Sequence, residues 1–160
     1  MKRLICILSL CLLLCACAET VNGSPEPSTA ARAVIEACEE TPFIRADKDF
    51  IADNFAELPS TRDEIVYFAE SNDGTEIGFF LLNDSKDIPK TKALIRDYID
   101  SERHHVNALA ALYPGEELNA RLARYDGAAV GHRGELVYYI IGDRLLVQKA
   151  ERALQSLPVQ

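Results

Sequence analysis

Beyond residue 17 this 160-residue chain contains one cysteine, Cys38, so a domain folded from it can hold no internal disulfide. Basic charge is scarce too. Seventeen Lys and Arg face twenty-five Asp and Glu, a net charge of −8, which argues against nucleic acid and against docking flat on anionic lipid. No apolar run reaches the ~20 residues that a membrane-crossing helix needs, and the run Leu4 to Leu14 stops well short. Catalytic signatures are missing as well. There is no G-x-S-x-G, and Gly127, Gly131 and Gly134 follow a GxxxGxxG spacing ahead of a hairpin rather than a helix, so they read as turn and bulge glycines. Asp47, Asp49 and Asp53, like Glu116 and Glu117, lack the calcium-loop pattern and read as helix N-terminal charge. The sequence therefore predicts no enzyme, no cofactor and no metal site.

What is present begins at the N-terminus. Lys2 and Arg3 precede the uncharged run, which is the layout of an export signal. Leu14-Cys15-Ala16-Cys17 resembles the lipobox of bacterial lipoproteins. That resemblance implies cleavage after Ala16 and a diacylglyceryl thioether on Cys17, and two acyl chains anchor a protein stably where one does not. The expected organisation is a signal peptide over 1–16, a lipid anchor and flexible spacer over 17–28, and a single α+β domain over 29–160. About 140 residues from Cys17 onward suit one domain. Losing Lys2 and Arg3 takes the net charge from −8 to −10. Such a domain would sit on the extracytoplasmic face of the cell membrane.

Along the chain, a helix capped by Ser28 or Thr29 is predicted to about Glu40, with Cys38 as a buried small hydrophobe, and a short one over Lys48 to Phe55. Glu64 to Ala69 and Glu76 to Leu82 read as a hairpin. The second strand carries Ile77, Phe79 and Leu81 on one face and Phe80 and Leu82 on the other, so both faces should be covered, and Gly78 predicts a close neighbour. Asp84 or Ser85 starts a long helix to about Tyr113, whose stripe is Ile88, Ile95, Tyr98, Ile99, Val106, Leu109 and Tyr113. A short helix over Glu116 to Ala123 follows, then strands over Tyr125 to Gly131 and Leu136 to Ile141 about a His132-Arg133-Gly134 turn. A final helix is capped by Asp143. The prediction is an antiparallel sheet of about four strands in two hairpins, packed by the long helix, in the order ααββααββα.

The stretch 63–157 resembles the uncharacterised domain-of-unknown-function family numbered four-three-five-eight, mostly small lipoproteins. The likeness rests on Asp63-Glu64-Ile65, Ile77-Gly78-Phe79-Phe80, Tyr113-Pro114-Gly115-Glu116, Gly134-Glu135-Leu136-Val137-Tyr138 and Gly142-Asp143. Gly78, where alanine is usual, and the doubled His104-His105 depart from it. The resemblance implies the anchor and the fold, and it brings no activity.

Adjacent helical residues His104 and His105 diverge by about 100° and do not share a metal. Asp100 and His104 have ligand spacing but lie on the polar face. Glu102 and His105 project into the apolar arc near Tyr98, where a carboxylate must find a partner or a shifted pKa. Two functions are compatible with these features. The first is a non-catalytic, membrane-tethered domain that binds an envelope protein or component. The second is a small-ligand-binding lipoprotein with a pocket near Glu102 and His105.

Overall fold

In the computed structural model, which describes residues 23–158, the two segments that are apolar on both faces form the middle of the sheet. The elements run α1 (Pro27–Ala37), β1 (Phe43–Arg45), α2 (Lys48–Asn54), β2 (Thr61–Ala69), β3 (Glu76–Leu82), a 3-10 turn (Ser85–Asp87), α3 (Ile88–Leu112), α4 (Glu116–Asp126), β4 (Ala129–Arg133), β5 (Leu136–Ile141) and α5 (Arg144–Ser156). All neighbours pair antiparallel in the order β1-β2-β3-β5-β4. Two hairpins thus lie side by side, joined by β3 on β5. Both joining strands are buried along their whole length, as residues covered on both faces must be.

Parity along each strand divides the core. Ile77, Phe79 and Leu81 of β3, with Leu136, Tyr138 and Ile140 of β5, face α1 and α5 and pack on Val34, Cys38, Ala150 and Leu154. Phe80 and Leu82, with Val137, Tyr139 and Ile141, face the other way onto Phe55, Ile95, Ile99, Val106 and Tyr125. The result is three layers. Cys38 is buried with its Sγ 3.9 Å from the Leu146 carbonyl, and burial pushes its thiol pKa up, which disfavours the reactive thiolate.

The α+β class and the antiparallel sheet match the sequence reading, with five strands in place of four and the order αβαββααββα. The additional strand is β1, whose three residues pair with Tyr67–Ala69. Tyr125 belongs to α4, which Gly127 terminates, so β4 starts only at Ala129. His132 and Arg133 lie in β4, Gly131 sits across from Tyr138, and the turn is Gly134-Glu135. The first helix starts at Pro27 and stops at Ala37 with Cys38 as its cap. The stripe of α3 is narrower than its pattern, with Thr91, Ile95, Ile99 and Val106 buried and Tyr113 exposed at the C-cap. Asp143 caps α5 by accepting from the Leu146 N–H at 2.9 Å.

Ser24 and Pro25, which fall within the 17–28 segment expected as a spacer, are packed onto the domain. Residues 1–22, including Cys17, lie outside the described residues, but Pro25 is buried and Ser24 Oγ accepts from the Glu135 N–H at 2.6 Å. The chain therefore enters the domain at the β4–β5 turn, beside Leu82. Glu76 is at the opposite end of β3, about 20 Å away at ~3.3 Å per strand residue.

Candidate functional site

Glu76 opens β3 on the same face as Phe80 and Leu82, so the strand's parity drives a carboxylate into the core, where it is 4% exposed. Two phenols meet it. Tyr139, opposite Gly78 on β5, donates to Oε1, and Tyr98 of α3 donates to Oε2 at 3.0 Å. Gly78 makes the first contact possible. A Cβ at that position would overlap the Tyr139 ring, so its absence lets the ring lie over the strand and deliver its hydroxyl two residues along.

Burial raises the Glu76 pKa from 4.5 to about 7, against the two tyrosine hydrogen bonds, which favour the charged form. The negative charge of Glu102 adds to the rise and Arg121 opposes it. Burial and the neighbouring carboxylate push Tyr98 and Tyr139 far above the usual phenol range, so both remain donors. A carboxyl group with a pKa near neutrality, gripped by two fixed donors, can take up or release a proton at ordinary pH.

Beside this group lies a cavity of ≈ 200 Å³, lined by Phe50, Phe68, Thr75, Glu76, Tyr98, Glu102, Arg121 and Tyr125 among others. Three elements aim charge into it. Glu76 comes from β3 and Glu102 from α3, one helical turn beyond Tyr98. Arg121 comes from α4, on the stripe with Leu118, Leu122 and Tyr125 that packs into the core beside α3. The Arg121 stem lies over Gly74, where a Cβ would stand 2.8 Å from both its Cγ and its Nε. The Ser71–Gly74 turn is itself clamped to α4. Arg124 Nη2 lies 3.0 Å from Asp73 Oδ2, Arg124 Nη1 donates to the Asp73 carbonyl at 3.1 Å, and Asp73 Oδ1 accepts from the Thr75 N–H at 2.9 Å.

Among the described residues, neither Glu102 nor Arg121 enters an ion pair. Arg121 Nε is buried with no hydrogen-bond partner. A buried polar atom left without a partner costs on the order of 1–3 kcal/mol.

The sequence-predicted residues divide accordingly. Tyr98 and Glu102 both line the cavity. His105 does not, being exposed on the flank of α3, because it lies about 85° from the centre of the buried arc at 100° per residue. His104 is exposed with its Nδ1–H donating to the Asp100 carbonyl at 2.6 Å, which suits a solvated surface pair. Among the described residues no cluster of three His, Cys, Asp or Glu side chains is arranged for a metal.

Glu76 and Arg121 were not singled out from sequence. The signal was there for Glu76, since a strand whose remaining residues are apolar or glycine offers no solvated face. For Arg121 it was the Leu118, Leu122, Tyr125 stripe around it. Gly74→Ala, which sets a methyl group against the Arg121 stem at a residue with φ +87°, is expected to shift the arginine. It should cost about 1–2 kcal/mol by the penalty for left-handed backbone in non-glycine residues, read as a lower denaturation midpoint. No protein-family model matches the chain, and no curated protein or solved structure matches it significantly, so the family resemblance rests on the sequence motifs alone.

Proposed function

We propose that this chain is a lipid-anchored, extracytoplasmic domain that binds a small polar ligand in the cavity between β3, α3 and α4. The observation that carries the reading is a cavity holding a buried carboxyl together with a carboxylate and a guanidinium that have no ion-pair partners. Its volume, ≈ 200 Å³, falls below the ~300 Å³ of the smallest drug-sized pockets, which suits a ligand smaller than a typical drug. An envelope-protein partner draws less support. Large exposed apolar side chains among the described residues are Ile44, Leu112, Tyr113 and Leu145. Only Leu112 and Tyr113 are adjacent in sequence, and two side chains fall far short of the several hundred Å² that mark an interaction patch.

The anchor fits this arrangement. A tether from Cys17 that joins the domain at the β4–β5 turn leaves the cavity at the far end of the sheet, away from the membrane. No helix of the described residues is long and apolar enough to cross a membrane. Cys17→Ala is expected to move the full-length protein from the membrane to the soluble fraction and to remove the acyl mass. A membrane-bound variant of unchanged mass would end the lipoprotein reading.

The cavity is tested by adding the low-mass fraction of a bacterial extract to the isotope-labelled protein and mapping amide shifts. Changes centred on Gly74, Glu76, Tyr98 and Arg121 are expected. Changes confined to Leu112 and Tyr113, produced only by the macromolecular fraction, would favour the envelope partner.

A further inference from the structure

We propose that the ligand is a small zwitterion of the free α-amino acid class, its carboxylate held by Arg121 and its ammonium by Glu102. This rests on the small-ligand reading above and adds the chemistry of the occupant. One cavity contains one cation and one fixed anion on facing helices, and the two do not pair with each other. An inorganic anion would satisfy Arg121 and leave Glu102 facing a second negative charge. A simple amine would do the reverse. Only a ligand with both signs, separated by a few bonds, meets both walls and leaves the site's net charge unchanged. Glu102 and Arg121 are both half-buried, so an opposite charge set against each selects for a ligand that carries both signs.

The remaining walls agree. Phe50, Phe68 and Tyr98 pack edge to face, with Phe50 and Phe68 ring centroids 4.8 Å apart. Aromatic rings lining a pocket attract an ammonium through their π faces while offering an apolar surface to a short side chain. The volume of ≈ 200 Å³ equals about seven waters at ~30 Å³ each. That is room for an amino acid of small or medium size. Guanidinium recognises carboxylate through two parallel hydrogen bonds, which fixes the ligand's orientation as well as its charge.

The test uses the lipid-free domain carrying Cys17→Ala, with calorimetric titration and thermal shift. The probes are the free amino acids one by one, with N-acetyl and methyl-ester derivatives of the best of them, and propionate, propylamine, phosphate and glucose. Saturable binding of at least one free amino acid is expected, with affinity lower by on the order of tenfold to a hundredfold for each blocked derivative. Arg121→Met should abolish discrimination against the methyl ester, and Glu102→Gln discrimination against the N-acetyl form. His105→Ala, outside the cavity, should bind as the parent does. Circular dichroism and the denaturation midpoint establish that each variant is folded. Binding of phosphate, propylamine or glucose in preference to every amino acid would overturn the zwitterion and leave the small-ligand cavity standing. Absence of binding by every probe, together with no amide shifts from the low-mass extract, would overturn both.

Discussion

Glu76→Gln should remove about 3 kcal/mol of pH dependence from the stability of this domain. The wild-type carboxyl is held at about 7 when folded, against 4.5 in its ordinary state. Over that window the folded chain keeps a proton that the unfolded chain has released. The stability this group supplies is therefore complete below pH 4.5, falls as pH rises through 7, and is gone above it. At 1.36 kcal/mol per unit, the 4.5-to-7 interval comes to about 3 kcal/mol. The glutamine side chain keeps an oxygen that can accept from Tyr98 and Tyr139 but has no proton to lose, so its own profile should be flatter by that amount. Chemical denaturation of both proteins at pH 4.5 and pH 8 isolates the effect. The variant's stability relative to wild type should improve by about 3 kcal/mol at the higher pH, whatever fixed packing penalty the amide carries. An unchanged difference at the two pH values would mean that Glu76 titrates near its ordinary value and is not the desolvated group its burial implies.

The same residue shows where sequence reading stops. The sequence is most informative where the backbone leaves a side chain no choice. Glu76–Leu82 and Leu136–Ile141 were bounded correctly because their apolar residues fall on both faces, and only a strand between two layers satisfies that pattern. The start of α5 was equally plain, because Asp143 is a strong cap placed directly before a helical stripe. β1 was missed because three residues, Phe43-Ile44-Arg45, are too few to show alternation. Their strand conformation comes from hydrogen bonds to Tyr67–Ala69, a partner more than twenty positions away. Tyr125 favours a strand by β propensity, and the burial of its side chain in the core from α4 overrides that preference.

The candidate site divides along the same line. Glu102 and Tyr98 were readable from helical spacing, which is local. That Glu76 sits under Tyr139 and that Arg121 closes the cavity from another helix are consequences of strand order. Nothing in the periodicity of either hairpin states that β3 pairs with β5.

That pairing is also what makes Gly78 indispensable. Gly78→Ala is expected to cost about 3–5 kcal/mol. Gly78 and Tyr139 are direct partners across β3 and β5, both wholly inside the protein, and an alanine methyl would occupy the volume of the Tyr139 ring. Overpacking of this kind costs typically 1–3 kcal/mol. Displacing the ring also pulls its hydroxyl from Glu76, and stranding a buried donor and acceptor adds on the order of 1–3 kcal/mol. Against a total stability of 5–15 kcal/mol for a domain of this size, that is a large share. The effect should be conditional on the ring. In a Tyr139→Val background the methyl group has space, and the cost of Gly78→Ala should fall below about 1 kcal/mol, giving a coupling of several kcal/mol in the double-mutant cycle. Equal costs in both backgrounds would show that the glycine is required by its own backbone rather than by the tyrosine laid over it.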